Sequence, residues 1–320
     1  MNKLKSLLAA AILFLGGCAS NNSYLSSRNI TLEQKTYSVS QNIVREETPN
    51  GEIRFGFVSD IHNKKEKAEK IAQIFKEKNL DGIVIAGDMA ETLLNEKKQI
   101  KDSLLPFLET GKPVYVIAGN HETKNDYLSA MNELGKKYSN LFDLATLNYV
   151  DLSGVNIFGV SGWDKPFPLG CFSVKKEIEN VDKRVFSLDE DPVFMISHMP
   201  PKFQHKEAID CIYWVKLENN KIVKSRHAGE KVLYEEGGEK INPRNSGKKE
   251  LTDLIVEGNI DFSVSGHYHM NPGANNFEKN IPENEFSEKL FMSPGAAQYD
   301  MAGILTIEGD KAKYELLKIK

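Results

Sequence analysis

The sequence is poor in cysteine and has no large excess of charge of either sign. Its 320 residues include 3 cysteines, 41 basic and 45 acidic residues, which give a formal net charge of −4. This mild acidity disfavours a nucleic-acid polymer as the partner, because such proteins usually carry a basic surface. Apart from Cys18, only Cys171 and Cys211 are present, and they either form one disulfide or remain thiols. No internal repeat or composition break divides residues 52–320, which favours one large domain.

A membrane-spanning segment is not apparent at the N terminus. Lys3 and Lys5 precede an apolar stretch, residues 7–15, that is too short to span a bilayer and is typical of a signal peptide. The stretch ends in Leu-Gly-Gly-Cys18, which resembles the lipobox of bacterial lipoproteins. The resemblance implies a signal peptide over residues 1–17 and a lipidated Cys18. The polar residues that follow predict an anchor and tether over residues 18–50, with residues 31–46 as a candidate peripheral strand. A plain cleaved signal peptide is the alternative.

Five short apolar runs, rich in β-branched and aromatic residues, are typical of strands buried on both faces of a sheet. They span residues 53–59, 82–86, 114–118, 193–197 and 262–265. Amphipathic helical patterns over residues 64–78, 95–108 and 126–134 alternate with the first runs, which predicts parallel strands and right-handed crossovers. Later runs predict further strands with few helices. We therefore expect an α/β fold over residues 51–320, a layered α/β/β/α sandwich with two mixed sheets.

Each of the five runs ends in a short motif of polar residues. The motifs are Asp60-Ile61-His62, Gly87-Asp88, Gly119-Asn120-His121-Glu122, His198 before two prolines, and Gly266-His267-Tyr268-His269. Open α/β sheets bind ligands at the carboxyl ends of their strands, so we expect these side chains to meet at one edge of the fold. Each motif alone is common at turns and strand ends, but five together indicate a functional site.

The donor types in these motifs predict a site for two divalent metal ions. Imidazole, carboxylate and amide donors are present without a thiolate: Asp60, His62, Asp88, Asn120, His198, His267 and His269. Such donors suit Mn, Fe or Zn. A carboxylate bridges two ions through its two oxygens, and Asp88 is the candidate bridge. Two ions that clamp a phosphoryl group and activate a water remove the need for a side-chain nucleophile.

The motifs and their order resemble those of the calcineurin-like metallophosphoesterase superfamily, over roughly residues 53–300. The resemblance implies that one ion is bound by Asp60, His62, Asp88 and His269, and the other by Asp88, Asn120, His198 and His267. It further implies that His121 lies beside the substrate, as a general acid or as a stabiliser of phosphate charge. Glu122 would orient His121 or a neighbouring ligand. Residues 292–296 are similar to the closing strand and turn of this family.

The resemblance also bears on the substrate. The protein-phosphatase branch carries an acidic-Arg-Gly sequence after its Gly-Asp motif, whereas residues 89–92 here are Met-Ala-Glu-Thr, which argues against that activity. We expect a metal-dependent phosphoesterase that acts on a small phosphomonoester or phosphodiester at the cell envelope, outside the cytoplasm, while anchored to a bacterial membrane through Cys18. The alternative is a surface lipoprotein that binds a metal or ligand without turnover. The acidic balance disfavours a nuclease.

An insertion at about residues 203–247 follows the His198 motif. Asn219-Asn220 predicts a hairpin turn within it. The insertion is either a lid that brings residues to the substrate or a solvated hairpin. The residues that a lid would bring are Trp214, Arg226, His227 and Arg244. Trp163 and Asp164 follow another predicted strand and either contact the substrate or pack against the core.

Overall fold

The computed structural model describes residues 28–32, 35–40, 42–46, 51–152, 154–163, 170–187, 191–216, 222–224, 239–269 and 271–319. The signal peptide, Cys18, Asp164, Arg226 and His227 lie outside the described residues. Among the helices that are described, none combines the length and the apolar character needed to cross a membrane.

Nineteen strands and five helices form the described part of the chain. In chain order, the strands are β1 (Arg28–Leu32), β2 (Lys35–Ser40), β3 (Ile43–Glu46), β4 (Glu52–Val58), β5 (Gly82–Ala86), β6 (Val114–Ile117), β7 (Leu141–Asp143), β8 (Tyr149–Leu152), β9 (Val155–Val160), β10 (Val193–Ser197), β11 (Cys211–Lys216), β12 (Ile222–Lys224), β13 (Glu239–Asn245), β14 (Phe262–Ser265), β15 (Gly273–Asn275), β16 (Asn280–Ile281), β17 (Leu290–Ser293), β18 (Met301–Glu308) and β19 (Lys311–Lys318). The helices are α1 (Lys65–Glu77), α2 (Glu96–Leu108), α3 (Lys124–Gly135), α4 (Val174–Asn180) and α5 (Lys249–Glu257). Short 3-10 turns span Lys183–Ser187 and Ala297–Tyr299.

Two mixed sheets contain most of the strands. The six-stranded sheet has the order β19-β18-β4-β5-β6-β7, with β4 to β7 parallel and β18 antiparallel to β4. The ten-stranded sheet has the order β1-β2-β3-β8-β9-β10-β14-β17-β15-β16, with β9, β10, β14 and β17 parallel. The parallel strands form the centre of the ten-stranded sheet, whereas in the six-stranded sheet they extend from β4 to the edge strand β7.

The layers follow from the alternation of side chains along the strands. Val84 and Ala86 of β5 face the second sheet, whereas Ile83 and Ile85 face the helices. Aromatic rings fill the space between the sheets, where the Phe55 and Phe194 ring centroids lie 5.9 Å apart. Helices α1, α2 and α3 cover the six-stranded sheet, and α4 and α5 cover the other. The predicted α/β/β/α sandwich of two mixed sheets is confirmed.

Most of the stretch predicted as a tether belongs to the folded domain. Residues 28–46 form β1, β2 and β3 and extend the ten-stranded sheet, with β3 parallel to β8. Ile30, Tyr37 and Val39 are buried in the core between the sheets. This burial holds residues 28–46 against the domain, so the tether does not extend through this stretch.

The insertion forms a separate three-stranded sheet of order β12-β11-β13. The predicted hairpin is present, because β11 and β12 pair antiparallel with Lys216 opposite Ile222; the turn residues Asn219 and Asn220 lie outside the described residues. The third strand, β13, was not predicted from its polar sequence. Trp214 and Arg244 lie in this sheet and are exposed.

Candidate metal centre

The five polar motifs follow the carboxyl ends of β4, β5, β6, β10 and β14, where the two sheets meet. Backbone hydrogen bonds join the loops: the Asp60 amide donates to the Gly87 carbonyl at 3.0 Å, and the Gly266 amide donates to the His198 carbonyl at 3.0 Å. The His267 amide donates to Asp60 Oδ2 at 3.0 Å and so joins a loop of one sheet to a loop of the other. The convergence expected from the sequence therefore occurs at one edge of the fold.

Four of the predicted ligands have left-handed backbone conformations. The φ angles are 54° at Asp60, 49° at His62, 53° at Asp88 and 68° at His267. This conformation costs roughly 1 kcal/mol or more for a residue with a side chain, although Asp and His adopt it more readily than most. Such backbone strain concentrates at functional sites, where the surrounding structure holds it in place.

Gly119 lets the loops after β5 and β6 approach each other. A Cβ atom at this position would lie 2.1 Å from Asp88 Oδ1. Only glycine therefore allows the Asp88 carboxylate to lie against this backbone and to accept a hydrogen bond from the His121 amide at 2.9 Å.

The first group of donor atoms consists of Asp60, His62 and His269, whose ligand atoms all lie within 4.8 Å of one another. His269 Nε2 lies 3.1 Å from Asp60 Oδ1 and 3.4 Å from His62 Nε2. The two imidazole nitrogens thus point toward the same small space next to a carboxylate. These side chains are three of the four that the resemblance assigned to the first ion.

The second group consists of Asp88, His198 and His267. Asp88 Oδ2 lies 3.3 Å from His198 Nε2, which is 2.9 Å from Asn120 Oδ1. The same Asp88 oxygen lies 3.9 Å from His62 Nε2 of the first group. Asp88 is therefore located between the two groups, where a bridging carboxylate is required.

His121 lies on the open side of these groups. Its Nε2 is 3.9 Å from Asp88 Oδ2, and its side chain is 34% exposed, whereas the Asp88 side chain is 2% exposed. Its Nδ1 lies 3.2 Å from the Glu91 carbonyl oxygen, an acceptor that fixes the ring orientation. His62, Asp88 and His121 also form a third group of possible metal donors.

Glu122 is fully buried and contacts backbone rather than the open part of the site. Its Oε2 accepts hydrogen bonds from the amides of Asp88 at 3.0 Å and Gly119 at 2.7 Å, and its Oε1 accepts one from Ala90 at 2.9 Å. Glu122 thereby joins the loops that carry Asp88 and Asn120. This position fits the orienting role suggested for it, and the residue is a positioning rather than a catalytic one.

The electrostatics of the site fit a pair of cations. Although burial lowers it, the pKa of His198 rises to about 10 because the Asp88 carboxylate lies beside its ring. Burial and the positive charge of His198 lower the pKa of His267 to about 3. Burial opposes ionisation of Asp60, yet His269 and His198 hold its pKa below the usual value. The ionised carboxylates and the neutral His267 are thus in the form that binds a metal ion, whereas the proton held by His198 would leave when an ion binds there.

Two side chains that support the ligand histidines were missed from the sequence. Glu91 Oε2 lies 3.0 Å from His62 Nδ1, and the side-chain amide of Gln298 lies 3.2 Å from His269 Nδ1. Gln298 belongs to the turn Ala297–Tyr299, and its backbone amide donates to the Asp60 carbonyl at 3.2 Å. Neither residue stands in a recognisable motif, so only the fold brings them to the site.

Trp163 lies edge-on to a ligand histidine. Its ring centroid is 4.6 Å from that of His267, with an angle of 78° between the planes. Its side chain also packs against the core beneath α4 and α5. Of the two roles considered for Trp163, substrate contact and packing, these contacts favour packing.

The two cysteines in the described part of the chain are not bonded to each other. Cys171 Sγ lies 3.8 Å from the Asn120 carbonyl oxygen, and Cys211 Sγ lies 3.1 Å from that of Lys206. Of the two alternatives, the structure shows two thiols.

A family model for calcineurin-like phosphoesterases matches residues 53–271. The chain belongs to this family. The protein is thus a metal-dependent hydrolase that acts on phosphoester bonds. The matched range contains all five motifs described above. No curated protein sequence matches the chain.

Solved structures with a similar fold include TT1561 of Thermus thermophilus, which is 13% identical and has a TM-score of 0.56 over 84% of this chain and 99% of that one. A dimetal phosphatase from Danio rerio is 8% identical, with a TM-score of 0.47 over 84% of this chain and 99% of its own. At 13% identity the likeness to TT1561 extends to the fold alone, so the family assignment depends on the sequence match.

Proposed function

We propose that this phosphoesterase uses two divalent ions to hydrolyse a small phosphomonoester or phosphodiester outside the cytoplasm. The position of Asp88 is the observation that carries the proposal. Its carboxylate lies between a group that contains Asp60 and His269 and a group that contains His198 and His267. Buried carboxylate, imidazole and amide donors without a thiolate fit Mn, Fe or Zn.

Asp60, His62 and His269 would hold one ion, and Asn120, His198 and His267 the other, with Asp88 shared. When bound, the two ions supply Lewis acidity toward a phosphoryl group and lower the pKa of a water. The ligand side chains themselves are held in place by their neighbours. His198 Nδ1, for example, donates to the Ala86 carbonyl at 2.9 Å, which directs Nε2 toward Asp88.

His121 is the residue that we assign to the leaving group. The Glu91 carbonyl accepts a hydrogen bond from Nδ1, so Nε2 faces the open side of the site. A protonated Nε2 there donates a proton to the departing oxygen or stabilises the charge of the phosphate. His121 needs no contact with a metal ion for this role, because its neighbour Asn120 supplies the ligand oxygen.

The location is part of the proposal. The N-terminal sequence resembles a lipoprotein signal, and lipidation of Cys18 would hold the domain at a bacterial membrane. Cys18 and the first described residue, Arg28, are separated by nine residues. A flexible linker of that length has a root-mean-square reach of about 15–18 Å. The domain would then act on a small soluble phosphoester close to the membrane surface.

The test combines metal analysis with two model substrates. We expect the purified domain to bind Mn and to hydrolyse 4-nitrophenyl phosphate, bis(4-nitrophenyl) phosphate, or both. Asp88→Asn should lower metal content and turnover together, because it removes a charge from both ion sites. Asp253→Asn, which changes an aspartate on α5 whose side chain is 47% exposed, is the matched control and should change neither. Two bound ions without turnover of either substrate would support the non-catalytic lipoprotein instead, and a domain that binds no metal would refute the proposal.

A further inference from the structure

His198 of the second donor group and His62 of the first have neighbours of different charge at Nδ1. In the second group, His198 Nδ1 donates to the neutral carbonyl of Ala86 at 2.9 Å. In the first group, His62 Nδ1 lies 3.0 Å from the carboxylate of Glu91. The outer partner of a ligand histidine fixes its tautomer and changes its basicity. A carboxylate partner raises the basicity of the ring more than a carbonyl does, because it carries a full negative charge.

The position of Glu91 is fixed by its backbone. Its amide donates to Gln99 Oε1 at 2.9 Å, and Gln99 Nε2 donates in turn to the Leu94 carbonyl at 2.7 Å. Gln99 is buried on α2, so the loop that carries Glu91 is attached to a helix of the core. The Glu91 carbonyl also accepts the hydrogen bond from His121 Nδ1. None of these bonds uses the Glu91 carboxylate, which remains available to His62.

His62 and Glu91 differ in how much of each side chain is exposed to solvent. The His62 side chain is 4% exposed, whereas that of Glu91 is 48% exposed. His62 is thus held inside the site, and Glu91 approaches it from the solvent side. His62 Nδ1 makes no hydrogen bond to the described residues, so the Glu91 carboxylate acts on the ring through its charge, across the 3.0 Å that separates the two atoms.

We propose that the charge of Glu91 raises the affinity of the ion site formed by Asp60, His62 and His269 for a divalent ion, with no direct effect on the other site. The inference rests on the proposed dinuclear site. It assigns a difference between the two ions to one side chain: Glu91 places a negative charge 3.0 Å from His62, a ligand of the first ion alone.

The test is a calorimetric titration of Mn²⁺ into the metal-free full chain. Glu91→Ala removes the charge beside His62, so one of the two binding steps should weaken about 10–100-fold. Glu91→Gln keeps the size of the side chain without its charge and should show a similar loss. Glu109→Ala, which removes an exposed glutamate at the opposite end of α2, is the matched control. Thermal unfolding of the metal-free variants checks that the fold is retained, which we expect because the loop is held through its backbone.

Two further backgrounds assign the weakened step. In a His198→Gln protein, where the second site is impaired, Glu91→Ala should still weaken Mn²⁺ binding. In a His269→Gln protein, where the first site is impaired, Glu91→Ala should add no further loss. Unchanged binding in Glu91→Ala, or an equal loss in both backgrounds, would overturn the inference and leave the dinuclear site in place. A wild-type chain that binds no Mn²⁺ would instead refute the proposed function itself.

Discussion

Replacement of Glu122 should cost both stability and metal affinity. Its two carboxylate oxygens accept hydrogen bonds from the amides of Asp88, Gly119 and Ala90 at 2.7–3.0 Å, and the residue is 0% exposed. Glu122→Ala removes all three acceptors. A buried amide without a partner costs about 1–3 kcal/mol, so we expect the free energy of unfolding to fall by about 3 kcal/mol or more. At about 2–4 °C per kcal/mol, the melting temperature should drop by about 6 °C or more.

Calorimetric melting of the metal-free protein measures this loss directly. Glu122→Gln retains one oxygen acceptor and should lose less stability than Glu122→Ala. The control Glu109→Ala, at an exposed position, should have the melting temperature of the wild type. Because the loops after β5 and β6 carry Asp88 and Asn120, we also expect Glu122→Ala to bind Mn²⁺ more weakly. A Glu122→Ala protein with wild-type melting and wild-type Mn²⁺ affinity would refute the view that this carboxylate holds the ligand loops together.

Three further predictions concern the chemistry, the pH dependence and the anchor. His121→Ala should keep its metal but lose about 10²–10⁴-fold in turnover, less for a nitrophenolate leaving group, as steady-state kinetics and metal analysis can show. Burial raises the pKa of Asp143 to about 6 from 3.8. Its contribution of about 3 kcal/mol to the free energy of unfolding is therefore fully present below pH 4 and is lost as the pH rises through 6. Asp143→Asn should remove this pH dependence from melting temperatures measured between pH 4 and 8. Cys18→Ser should move the protein out of the membrane fraction, and unchanged fractionation would count against lipidation.

The centre of the fold was predictable because its strands are buried on both faces. Runs such as residues 82–86 contain only apolar residues and glycine, and they end at the ligand motifs. The three predicted helices were found within two residues of their observed bounds, since α1, α2 and α3 each place an apolar face on one sheet. The convergence of the motif residues was predictable for the same reason, because each lies within a few residues of the end of such a strand.

The periphery was harder to predict because its pattern is weaker. In β2, the buried residues Tyr37 and Val39 alternate with polar ones, and the strand is fixed by pairing with β1 and β3 rather than by a strong apolar run. β13 contains Glu, Lys, Asn and Arg as well as a proline, so its sequence resembles a loop. Its strand conformation comes from antiparallel pairing with β11.

The partners of the ligand histidines depend on contacts that are distant in sequence. Glu91 and His62 are on different loops, and Gln298 is 29 positions beyond His269. Sequence patterns describe what a residue does relative to its neighbours along the chain. They do not report a glutamate that approaches a ring from another loop, so these supporting residues emerge only from the folded structure.

Anomalous X-ray scattering from a crystal grown with Mn²⁺ tests the dinuclear site most directly. We predict two anomalous peaks, one beside Asp60, His62 and His269 and one beside Asn120, His198 and His267, with the Asp88 carboxylate in contact with both. Two peaks separated by about 3.5–4 Å would match a pair of ions that acts on one phosphoryl group. A single peak, or two peaks of which one does not contact Asp88, would contradict the account.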